Sequence, residues 1–142
     1  MLTLALLFAL TQPPVTPPIP VWSATTKEAA ATDANKKVLA EAKPLTITGE
    51  VVDVSCYTQL GKRGEAHKEC GAKCVLAGAP VGIVTADNTL YILMAEPHHP
   101  RRDGKVGIAK EYAAKMGTTV TVSGMSSEHG GIHTLFIEAL PK

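Results

Sequence analysis

The sequence has few aromatic residues, almost no excess charge, few cysteines and no long apolar run. Aromatics make up 4% of the chain, too few to furnish the stacking platforms that single-stranded nucleic acids use. The 14 basic and 13 acidic residues leave a net charge of +1. Phosphate backbones need a clear basic excess, so nucleic acid is excluded as the main partner. No apolar run reaches the roughly 18–20 residues of a membrane-spanning helix, so no integral span is expected. No Gly-x-Ser-x-Gly, phosphate loop or zinc-protease helix motif occurs, which leaves hydrolase readings without support. An enzyme is the less favoured class. The three cysteines are an odd number, and disulfide pairing alone cannot use all of them.

What is present divides the 142 residues into three stretches. Residues 2–10 (LTLALLFAL) are apolar, and no charged side chain appears before Lys27. Five of the ten prolines follow between Pro13 and Pro20, where a helix must stop. A short apolar run with a small-residue site near Ser23 and Ala24 reads as a signal peptide over residues 1–23, with a periplasmic or secreted product. No cysteine lies near it for lipid attachment. Residues 24–44 are Ala-rich with mixed charge and read as a flexible linker closed by Pro44. On this reading leader and linker contribute no core, and residues 45–142 form one small domain. Charged residues at 19% and hydrophobic residues at 45% rule out a wholly disordered chain.

The domain is strand-rich. Residues 45–56 alternate, with a phase change at Val51-Val52 just after Gly49 that marks a bend. Residues 81–86 and 90–95 form a hairpin about Asp87-Asn88. A helix over residues 106–116 stops at Gly117. Residues 118–125, the turn SSEHGG and residues 132–140 complete the set. A single helix between the third and fourth of five strands is the order of an OB-like barrel. Closure would leave no exposed edge. An open sheet with one helix across it is the alternative.

A Cys-bearing helical insertion between strands one and two carries the chemistry. If residues 65–77 are helical, His67, Cys70 and Cys74 fall at i, i+3 and i+7 and share one stripe. Cys56, placed at the end of the first strand, could join them. A Cys3His set of Cys56, His67, Cys70 and Cys74 suits tetrahedral Zn(II), and its thiolates suit Cu(I). Copper handling and structural zinc both stay open. So do two metal-free readings: a binding or assembly module stapled by a disulfide from Cys56, and a thiol-redox partner of another periplasmic protein. Asp53, the least expected charge in its strand, would either orient His67 or face solvent. Met94, His98 and His99 read as a core residue and a solvated loop. Arg101, Arg102 and Lys105 read as solvated, and His129 and His133 as flanks of a Gly-Gly turn.

The run GEVVDVSCYTQLGKRGEAHKECGAKCVLAGAPVGIVTADNTLYIL, with the ending VTVSGMSSEHGGIHTLFIEAL, resembles a group of small exported bacterial OB-like proteins. They share a Cys…His-x2-Cys-x3-Cys motif followed by Gly-x-Pro. The likeness covers about residues 47–139. It implies export and a barrel, with Cys56, His67, Cys70 and Cys74 as the shared polar set and Gly78 and Pro80 as a structural turn.

Overall fold

The computed structural model describes residues 19–98 and 107–138. Five strands close into a barrel in the order β1-β2-β3-β5-β4. They are β1 (Lys43–Asp53), β2 (Val81–Thr85), β3 (Leu90–Ala95), β4 (Thr119–His129) and β5 (Ile132–Ile137). All neighbours are antiparallel except β3 and β5, which run parallel. Closure gives every strand two partners and settles the choice against the open sheet.

The long first strand serves two neighbours. Its first part, from Lys43 to Glu50, pairs with β4, and its last part, from Gly49 to Asp53, pairs with β2. Alternating burial gives way at Val51, Val52 and Asp53, which are buried in succession. That is where the sequence changes phase. The β4–β5 hairpin turns on Gly130 and Gly131 at φ 62° and 75°, left-handed angles that glycine adopts without strain. β4 therefore runs on through Ser126, Ser127, Glu128 and His129, residues expected in the turn.

Helices fill the connections. α3 (Val54–Leu60), a 3-10 turn (Glu65–His67) and α4 (Lys68–Leu76) lie between β1 and β2, and α5 (Ile108–Ala113) lies between β3 and β4. Residues 99–106, with His99, the basic cluster and the expected start of the last helix, lie outside the described residues, as do residues 1–18 and 139–142. Val75 of α4, Ile108 and Tyr112 of α5, and Met116 join Ile47, Val51, Ile83, Leu93, Val122, Leu135 and Ile137 in one apolar core.

One element departs from the sequence reading in a way that moves the site. The first strand stops at Asp53, and residues 54–60 are helical. Asp53 caps α3 by accepting the Ser55 N–H at 2.9 Å, and Gly61 at φ 66° ends it. Cys56 consequently sits in a first helical turn and not at a strand end.

Residues 24–44, read as linker, hold α1 (Ala24–Ala29), α2 (Asp33–Glu41) and the opening of β1. Ser23 caps α1, and Thr32 with Asn35 forms a capping box on α2. Trp22 meets Phe136 edge-on at 5.3 Å and donates its indole N–H to the Leu39 carbonyl at 3.0 Å. Thr26 and Ala30 are buried, so this segment does contribute to packing. A chain starting at Lys43 is expected to be less stable than one starting at Ile19 by on the order of 2–3 kcal/mol, from lost apolar burial and hydrogen bonds. Urea midpoints of the two chains measure this, and equal midpoints would show that the segment stabilises nothing.

Candidate metal centre

The site forms where β1 hands over to α3 and where the 3-10 turn enters α4. Asp53, the last residue of β1, is 0% exposed. Its Oδ1 is engaged as the α3 cap, while Oδ2 has no hydrogen-bond partner. His67, 6% exposed, ends the 3-10 turn, and its Nε2 also lacks a partner. These two atoms face each other at 4.0 Å, too far for a hydrogen bond. The Cys56 sulfur lies close by, and one ligand atom from each of Asp53, Cys56 and His67 lies within 4.8 Å of the others. Orphaned buried polar atoms each cost about 1–3 kcal/mol, so two of them aimed together with a thiol beside them call for a bridging species.

The insertion is held in place by Glu50. Its carboxylate accepts the Gly64 N–H and the Arg63 Nε–H, the latter at 2.9 Å. Behind His67, Gly71 is buried, and a Cβ there would meet the Met116 side chain at 3.0 Å and the His67 ring at 3.3 Å. The missing side chain lets α4 close on the core with Val75, also wholly buried, one turn further on.

That packing sets the helical phase and reorders the sequence-based ligands. The inward residues are His67, Gly71 and Val75, so Cys70 is exposed. It stands outside the group whose ligand atoms converge. Cys74 is half-buried at the border of that group, where its thiol interacts with Cys56 and with the Asp53 charge. None of the three cysteines is in a disulfide. The structure thus gathers Cys56 and His67 from the expected set, leaves Cys70 outside, sets Cys74 beside the pair, and adds Asp53. The signal for Asp53 was its place in the apolar run Val51-Val52-Asp53-Val54.

The electrostatics follow from the carboxylate. A hydrogen bond to Asp53 is the main cause that pushes the Cys56 thiol up to about 11, with burial and the Asp53 charge adding to it. Burial first, then the same charge, raises Cys74. In the metal-free protein both are held as thiols at neutral pH, which weakens these two as nucleophiles. A cation would reverse this, because it stabilises thiolate and carboxylate together.

The other candidate residues lie elsewhere. Met94 is exposed on β3, His98 is exposed after it, and His133 faces Glu128 at 3.7 Å and the Tyr91 ring at 5.4 Å. His129 sits exposed at the end of β4. Among the described residues no helix is long and apolar enough to cross a membrane. No family model, curated protein or solved structure matches the chain.

Proposed function

We propose that this chain is a metal-binding barrel protein whose ion is held by Asp53, Cys56 and His67, with Cys74 as the fourth ligand. The observation that carries this reading is the convergence of one ligand atom each from Asp53, Cys56 and His67 within 4.8 Å, at a place where Asp53 Oδ2 and His67 Nε2 are buried without partners. A donor set of one carboxylate, one imidazole and two thiolates favours Zn(II). Cu(I) prefers sulfur and gains little from a carboxylate. A tetrahedral ion about 2.0–2.1 Å from oxygen and nitrogen needs those atoms about 3.3 Å apart, so binding draws Asp53 and His67 together by a fraction of an ångström.

The strand order, the parallel β3–β5 pair and a helix between β3 and β4 support an OB-like identity within this reading. The apolar run at residues 2–10 and the resemblance to exported proteins support a periplasmic or secreted setting, with leader cleavage ahead of Trp22, because Trp22 and Ser23 dock on the barrel. The metal ion is the partner that the geometry favours. A disulfide-stapled module is the second reading, favoured by the contact between Cys56 and Cys74.

Competition of reduced protein against a chromophoric Zn(II) chelator tests the function. One ion per chain is expected. Each thiol that becomes a ligand must lose its proton, and Cys56 holds its proton until well above neutrality. Raising the pH therefore strengthens binding, with log K climbing about one to two units per pH unit across the neutral range. A flat profile would remove the thiolates from the site. A single Cys56–Cys74 disulfide in protein isolated from its host, with no metal bound after reduction, would favour the staple.

A further inference from the structure

A second buried carboxylate lies apart from the metal group. Glu96, directly after β3, is 1% exposed. Its Oε1 accepts the Ser23 N–H at 2.8 Å, and its Oε2 has no partner. Around it the backbone is fixed. The Glu96 N–H is donated to the Ile137 carbonyl at 2.9 Å, the Thr26 hydroxyl donates to the Glu96 carbonyl at 2.9 Å, and the His98 N–H donates to Thr26 Oγ1 at 3.1 Å. The carboxylate is thus locked at the junction of α1 with the barrel.

Glu96 lines a cavity of about 380 Å³, within the size range of small-molecule sites. Trp22 and Phe136 supply aromatic surface, Ala29, Val38 and Leu39 supply aliphatic surface, and Asn35 is among the polar groups. The cavity shares no lining residue with the Asp53, Cys56 and His67 group. Metal is not the fitting occupant, because Asp53, Cys56 and His67 form the one group of convergent metal-ligating side chains among the described residues.

We propose that this cavity binds a small organic cation, a primary ammonium on an apolar stem, with the stem against Trp22 and Phe136 and the ammonium paired with the Glu96 carboxylate once its shielded Oε2 turns toward the cavity. Three features carry it. An unpartnered buried carboxylate oxygen demands a donor, and a cationic donor makes the strongest hydrogen bond to it. Aromatic faces attract a cation and cover an apolar stem equally well. The second oxygen is already satisfied by Ser23, so one donor group completes the carboxylate.

Trp22 is the only tryptophan in the chain, so its fluorescence reports on this cavity alone. The probe is benzylammonium, titrated into the full chain beside its neutral isostere benzyl alcohol. A saturable Trp22 response is expected for benzylammonium, with benzyl alcohol weaker by about tenfold or more. Glu96→Gln keeps an acceptor for the Ser23 N–H and is expected to lose the preference for the cation. Equal affinity for the two probes in the unaltered chain would overturn the proposal without recourse to any variant. Absence of a saturable response, or a preference retained in folded Glu96→Gln, would overturn it as well.

Discussion

Asp53→Asn, Cys56→Ser and His67→Ala are each expected to weaken Zn(II) binding about 100-fold or more, whereas Cys70→Ser changes it by less than about threefold. Each of the first three removes one of the atoms that converge within 4.8 Å, and neither a hydroxyl nor an amide replaces what is lost. Cys70 is exposed and contributes no atom to that group. Cys74→Ser is expected to fall between these extremes, because its thiol borders the group. Asp53→Asn separates binding from folding. Asparagine caps helices as well as aspartate does, so the Ser55 contact at the start of α3 survives. The variant also removes a carboxyl oxygen that has no partner in the metal-free protein. Its melting temperature without metal is therefore expected to match or exceed that of the parent, while the stabilisation by added Zn(II) disappears. Loss of affinity on Cys70→Ser equal to that on Cys56→Ser would restore the Cys3His set of Cys56, His67, Cys70 and Cys74.

Tyr112→Ala is expected to cost about 3–5 kcal/mol, as other large-to-small aromatic truncations in cores do. Tyr112 is 0% exposed on α5 and belongs to the same core as Val51, Ile83 and Leu135. A domain of this size holds only about 5–15 kcal/mol in total, so the melting temperature should drop by roughly 15–30 °C. Tyr112→Phe is the informative companion. The Tyr112 hydroxyl is buried without a hydrogen-bond partner, and its removal relieves a desolvation cost. That variant is expected to be as stable as the parent or more so. A loss above about 1.5 kcal/mol on Tyr112→Phe would mean that the hydroxyl is bonded.

The strands were legible from alternation in parts of β1 and β4 and, for β2 and β3, from short apolar runs bounded by turn residues. The runs at Val81 and Leu90 became β2 and β3 with the expected starts. The first helix of the insertion was not legible from VSCYTQL, whose β-branched and aromatic residues continue the strand pattern before it. Two single residues decide it, the Asp53 cap and Gly61 in the left-handed region. The phase of α4 was hidden for a different reason. By ideal helix spacing His67, Cys70 and Cys74 would share a stripe, but His67 ends the 3-10 turn ahead of α4 and is buried while Cys70 is exposed. Which stripe faces inward depends on Gly71 meeting Met116, some 45 residues along the chain. The same holds for α1 and α2. Their composition gives no strong amphipathic pattern, and their docking rests on Trp22 with Phe136 and Ser23 with Glu96, a contact 73 residues apart. Asp53 was visible as an anomaly, a charge inside an apolar strand. Its convergence with Cys56 and His67 required the turn from β1 into α3.

X-ray absorption at the zinc edge, on reduced protein loaded with one Zn(II) per chain, tests the ligand set most directly. The expected shell holds two sulfurs at about 2.3 Å and two lighter atoms at about 2.0–2.1 Å, from Cys56, Cys74, Asp53 and His67. A shell with three sulfurs would bring Cys70 into the site and contradict the geometry described above, and a shell without sulfur would remove Cys56 from it.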